Sequence, residues 1–278
     1  MRVVIQKPDL DTCLAAFIMG ASEKDEIIVS QGEAAETDLM NPEVLCIEAG
    51  GSGLVHLNNF DHHDLHKYFP PTCMQAYRHR GLDDKKLERL VEYVCMVDDG
   101  PKGDSRIEFP SLSSIFSGML LAERDKRLQF FRGIGMLRRV LDENIDPFST
   151  MPAIEEWQPY KNAKEENQRR VEEVLRSAEF YKSESGLNIG FVQSDFIGGI
   201  GALYAQGCDV VIMFNHAFGN PPVRKYTIAG NDKKVSHLIE HFDKIEPGWG
   251  GRETIIGSPR EGTDLETRTV ITIVVHKI

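Results

Sequence analysis

Short apolar runs that end in acidic residues constrain this chain more than any other feature. Val3-Val4-Ile5 leads into Asp9-Leu10-Asp11, and a later apolar run leads into Phe60-Asp61-His62-His63-Asp64. A carboxylate and two adjacent imidazoles at a strand end present hard and borderline metal ligands together. Because the first acidic pair is also followed by a helix-like apolar run at 14–19, the two clusters imply one shared cleft at the ends of neighbouring strands. A third acidic pair, Val97-Asp98-Asp99-Gly100-Pro101, closes a segment in which Leu87, Leu90, Val91, Val94 and Cys95 fall at helical spacing.

The rest of the first half alternates in the same way. Residues 2–6, 27–30, 44–48 and 54–58 read as strands, 12–20 as a helix between the first two, and 111–121 and 126–141 as further helices. That alternation predicts an α/β fold with a largely parallel sheet. Pro147, Pro152 and Pro159 punctuate the chain. A charged helix is then expected over 160–182, with Val171, Val174, Leu175, Ala178 and Tyr181 as its apolar stripe. Beyond Gly186 the cadence changes: strands at 188–193, 209–214, 224–229 and 269–275, and helices at 197–206 and 234–242. These predict a smaller mixed-sheet α/β domain, so that residues 1–155 form one domain and 156–278 the connecting helix and the second, with a cleft between them. The loop Gly248-Trp249-Gly250-Gly251-Arg252, continuing to Arg260, combines glycines that let backbone approach a ligand with two anion-pairing guanidinium groups.

Composition narrows the function classes. The 278 residues are 41% hydrophobic, enough for real cores, and carry 32 basic against 43 acidic residues, a net charge of -11. Such a balance argues against broad capture of duplex DNA or an anionic membrane. The five cysteines (Cys13, Cys46, Cys73, Cys95, Cys208) include no C-x-x-C pair, which suggests buried free thiols and a reducing compartment. No apolar run approaches the roughly 20 residues of a bilayer span, and the N-terminus lacks a secretory layout; a cytoplasmic protein is expected.

Each motif alone has an ordinary structural explanation. Asp11 could cap the helix beginning at Thr12, His62 and His63 could be a polar strand end, and Asp98-Asp99 before Gly100-Pro101 could be a turn. Their order along the chain is what resembles a known family, the DHH phosphoesterases with their DHH-associated C-terminal domain, over nearly the whole length. Pro8-Asp9-Leu10-Asp11 matches the family's first motif, Asp61-His62-His63 its third, and Asp98 its fourth. Three positions depart from the pattern: Ile5 stands where many members place a histidine, Glu48 where an aspartate is usual, and Arg252 where a histidine follows the Gly-Gly pair.

The resemblance implies a metal set of Asp9, Asp11, Glu48, Asp61, His62 and Asp98, holding one or two Mn²⁺ ions with Mg²⁺ as the other candidate. It makes His63 the group that contacts the scissile phosphate or protonates the leaving oxygen, and gives substrate binding to Gly250, Gly251, Arg252 and Arg260. Two metals about 3.5–4 Å apart can supply a nucleophilic water and neutralise developing phosphoryl charge. The implied activity is hydrolysis of a small phosphorylated compound or short oligonucleotide by two-metal activated water, without duplex DNA or membrane partners; a homo-oligomer is allowed. The competing expectations are a catalytically degenerate ligand-binding or regulatory protein, favoured by Ile5, Glu48 and Arg252, and an unrelated α/β enzyme. His66 and His79 read as surface or hydrogen-bonded structural histidines, with a place in the cleft as the alternative.

Overall fold

The computed structural model describes residues 1–64, 67–99 and 107–278; His66 and the Gly100-Pro101 pair lie outside them. The chain divides into two compact units, Met1–Glu165 and Glu166–Ile278.

The first unit runs β1 (Arg2–Ile5), α1 (Leu10–Met19), β2 (Glu26–Val29), α2 (Glu36–Leu39), β3 (Val44–Ile47) and β4 (Asn59–Phe60), followed by α3 (Thr72–Arg80), α4 (Lys85–Asp99), α5 (Leu112–Ala122) and α6 (Lys126–Asp142); α7 (Gln158–Ser177) carries the chain on into the second. All pairings in the first sheet, ordered β2-β1-β3-β4, are parallel. Side chains alternate between two buried faces. Val3 and Ile5 of β1, with Leu45 and Ile47 of β3, join α1 and the later helices in the main core. Val4, Val44 and Cys46 point the other way, against Ala34, Ala49 and the half-buried Leu39 of α2. A central strand buried on both faces reads as a continuous apolar run, which is why Val3-Val4-Ile5 shows no alternation.

The second unit carries β5 (Glu179–Lys182), β6 (Asn188–Gln193), α8 (Gly198–Ala205), β7 (Val210–Phe218), β8 (Val223–Gly230), α9 (Ile239–Asp243), β9 (Gly250–Arg252), β10 (Ile255–Gly257) and α10 (Thr267–Lys277). Its sheet is mixed, ordered β5-β6-β7-β8-β10-β9, with β6-β7 the parallel pair. One face packs on Phe242, Trp249 and α10; the other packs on Leu203 and Val174.

The expected α/β architecture, with a parallel and a mixed sheet, is what forms. Three local readings change. Residues 54–58 are not a strand: Val55–Leu57 is a 3-10 turn ended by left-handed Asn58, and pairing starts only at Asn59. The helix expected to reach residue 182 stops at Ser177, and its tail becomes edge strand β5. The β-branched run 269–275 is a helix, because Val270, Ile271 and Val274 bury one helical face and packing overrides intrinsic strand preference. Helix α3 went unread, since its buried side chains, Thr72, Cys73, Gln75 and Ala76, carry little apolar periodicity. The start signal was Pro71 before Thr72 and the stop signal Gly81, which adopts φ 56.

Close helix contact in the first unit depends on Gly118 of α5, where a Cβ would meet the Tyr160 carbonyl oxygen at 1.9 Å. Gly118→Ala should therefore cost about 1–3 kcal/mol, read as a lower urea midpoint at unchanged slope. Gly135→Ala, on α6 with open space around it, should be neutral or slightly stabilising.

Candidate metal centre

The strand order places a switch point between β1 and β3. From β1 the chain passes through α1 to β2 on one side, then crosses through α2 to β3 on the other. Loops leaving the carboxyl ends of β1 and β3 diverge there, opening the crevice where α/β sheets bind ligands. Asp9 and Asp11 follow β1, Glu48 follows β3, and Asp61, His62 and His63 follow β4.

Two overlapping groups of potential ligands form. Asp11, Glu48, His62 and Asp98 each offer an atom within 4.8 Å of one another, and so do Glu48, His62 and His63. His62 Nε2 stands 3.2 Å from Glu48 Oε1, and its Nδ1 stands 3.6 Å from Asp98 Oδ2. Both Nε2 and Oε1 are buried, and neither makes an aligned hydrogen bond. Only 1% of the Glu48 side chain is exposed, so Oε1 depends on the facing imidazole, or on an ion, for compensation. Two metal ligands at right angles with bonds of about 2.1 Å lie about 3 Å apart, the spacing of this pair. The donor set of three carboxylates and one imidazole fits a divalent ion such as Mn²⁺.

The local backbone explains how these groups are held. Glu48 adopts φ 48, the left-handed region that a non-glycine residue rarely occupies, and Gly50 and Gly51 follow with φ 94 and φ 75. This turn aims the Glu48 side chain back over the sheet, where Oε2 accepts the Thr12 hydroxyl at 3.1 Å. Asp11 does not cap its own helix. Its carboxylate crosses to the start of α3, with Oδ2 accepting from the Thr72 amide and hydroxyl, both at 2.7 Å, and Oδ1 from the Cys73 amide at 2.8 Å. Three donors leave one of roughly four acceptor positions for an ion.

Asp9 and Asp61 stand outside the cluster. Asp9 is the N-cap of α1, accepting the Thr12 amide, and its other oxygen faces the Lys7 ammonium. Asp61 is buried and, like Asp11, has three donors, but its oxygens face the loop: Oδ2 accepts the Gly50 amide, and Oδ1 accepts the Ser52 hydroxyl and the His63 amide. It braces the Glu48 turn against the exposed His63, whose ring lies 4.4 Å from that of His62. Lys7, beside the cluster, was missed in the sequence because a lysine before Pro8 carries no motif signal. His79 packs edge-on against Phe60. In the second unit, Gly250, Gly251 and Arg252 form edge strand β9, and Arg260 is exposed. Gly251 is needed by the hairpin itself, since a Cβ would meet the Ile255 carbonyl oxygen at 2.2 Å.

Close packing of these charges shifts the protonation of the cluster. His62 is held up at about 9, first by the Glu48 carboxylate and then by Asp98. Burial raises the Asp11 and Asp98 carboxyls above their ordinary range. The imidazolium thus compensates carboxylates that an ion would otherwise neutralise.

No protein-family model matches the sequence, and no curated protein matches it. Among solved structures, a pGpG-specific phosphodiesterase, PggH from Vibrio cholerae, superimposes with a TM-score of 0.56 at 13% identity, covering 99% of this chain and 97% of that one. The chain shares its fold with that phosphodiesterase. The DHH domain of a protein assigned to a family of ribosomal proteins is similar at TM-score 0.42 and 11% identity, covering 92% of this chain and 82% of that one. RecJ from Thermus thermophilus, in complex with Mn²⁺, gives 0.36 at 12% identity, covering 98% and 51%. At those two scores the likeness adds nothing to the shared fold seen with the first.

Ligation requires the neutral imidazole, so an ion held by His62 would have to displace its proton. Mn²⁺ affinity should rise by up to about tenfold per pH unit toward pH 9 and then level, with proton release on binding. Titrations across this range check it; a pH-independent affinity would exclude His62 as a ligand.

Proposed function

We propose that this protein is a metal-dependent phosphoester hydrolase acting on a small phosphorylated compound or short oligonucleotide. The observation that carries the reading is the buried, unaligned Glu48–His62 pair inside the Asp11–Glu48–His62–Asp98 cluster, at the sheet's switch point. We assign these four side chains to a divalent ion, with Mn²⁺ preferred because Mg²⁺ rarely takes imidazole. The bound ion would supply Lewis acidity and a water acidified toward neutral pH.

The chain's own residues divide the remaining work. Asp61 holds the Glu48 turn and the His63 backbone, and Asp9 fixes the start of α1. His63, exposed beside His62, is assigned to the scissile phosphate or to protonating the leaving oxygen. In the second unit, Arg252 and Arg260, with the amides of Gly250 and Gly251, are assigned to a phosphate of the substrate. The shared fold with a pGpG-specific phosphodiesterase and the net charge of -11 both favour a short linear dinucleotide over long DNA.

The deciding experiment is Mn²⁺-dependent turnover of a panel of linear dinucleotides, phosphomonoesters and single-stranded oligonucleotides. His62→Ala is expected to lose bound metal and turnover together. His63→Ala should keep the metal and slow turnover about 100- to 10,000-fold. Dinucleotide binding without turnover in the Mn²⁺-loaded protein would instead make this a ligand-binding protein.

A further inference from the structure

Glu48 is divided between two cations of different kinds. Its Oε1 faces His62, while its Oε2, besides accepting the Thr12 hydroxyl, stands 3.7 Å from the Lys7 ammonium. The same ammonium lies 2.7 Å from Asp9 Oδ2. A carboxylate that bridges two cations, one through each oxygen, has this arrangement; here one of the two is part of the chain. Asp9 is accordingly missing from the ligand cluster: Oδ1 is taken by the Thr12 amide and Oδ2 by Lys7. Ile5, the nearby β1 residue, is fully buried in the core and offers no donor atom. Among the described residues, a second divalent ion on that side would find Asp9 and Glu48 as ligands, with a fixed positive charge already between them.

We propose that the Lys7 ammonium is the built-in second cation of this centre, so that the chain takes up one divalent ion rather than two. This rests on the metal-centre reading above. The ammonium lies against two carboxylates, Asp9 and Glu48, which hold it in place. The side chain is 55% exposed, so an ammonium with three donors can hold Asp9 and still reach a phosphoryl oxygen. Lys7 therefore supplies, without dissociating, the fixed positive charge that a second ion would bring to the phosphate.

The test counts ions rather than turnover. Mn²⁺ is titrated into the metal-free full chain and bound metal read by native mass spectrometry and by EPR. Wild type should bind one Mn²⁺ with the spectrum of an isolated ion. Lys7→Ala should take a second Mn²⁺ at least tenfold more tightly than wild type does and show a coupled spectrum, whereas Lys7→Arg should stay at one. Lys7→Met, which keeps the aliphatic stem, should repeat the alanine result and serves if the alanine variant folds poorly. Two ions in wild type, or one ion in wild type and in both neutral variants, would overturn the role given to Lys7. No ion in any of these proteins would overturn the metal-centre reading itself, a separate failure.

Discussion

The buried Asp11 carboxylate fixes the geometry on which the rest of the centre depends. It leaves α1 and receives three donors from the first residues of α3, joining segments 61 residues apart in sequence. Charge at a helix N-terminus is favourable, and here it replaces the capping side chain that Pro71 cannot provide. With α1 and α3 locked together, α4, which packs on both, carries Asp98 toward His62. The acidic residue that looked most like a local cap is thus a tertiary tie.

A second constraint is the conformation of Glu48. A glutamate at φ 48 is held there by the Asp61–Gly50 hydrogen bond and by the two glycines that follow. Backbone strain of this kind persists where the surroundings over-determine it, and it clusters at functional sites. The longer reach of glutamate also acquires a physical meaning: the side chain must span from a left-handed turn to Thr12 and Lys7 on one side and His62 on the other.

Much of this was legible in the sequence, for identifiable reasons. Strands β1 and β3 are short, apolar and bounded, and Asp9, Asp11, Asp61 and Asp98 sit at element ends that periodicity finds. Asp11 and Asp98 do reach one cluster with Glu48 and His62, whereas Asp9 and Asp61 spend their oxygens on backbone amides, a hydroxyl and Lys7. Nothing in a linear pattern separates a ligand carboxylate from a bracing one, because the difference lies in which donors the fold brings near. Helix α10 was misread because Val270, Ile271 and Val274 are good strand formers that happen to bury a helical face. Lys7 was invisible because its partners Asp9 and Glu48 meet only when β1 and β3 pair.

The four candidate ligands come from four separated segments, at residues 11, 48, 62 and 98, and meet only in the folded unit. The unfolded chain has no comparable site, so an ion that binds here binds the native state alone, and free metal concentration becomes a term in the folding equilibrium. At an ion concentration a hundredfold above the dissociation constant, mass action adds about 2.7 kcal/mol to stability. Such binding would tie the stability of the folded unit to the metal supply of its surroundings.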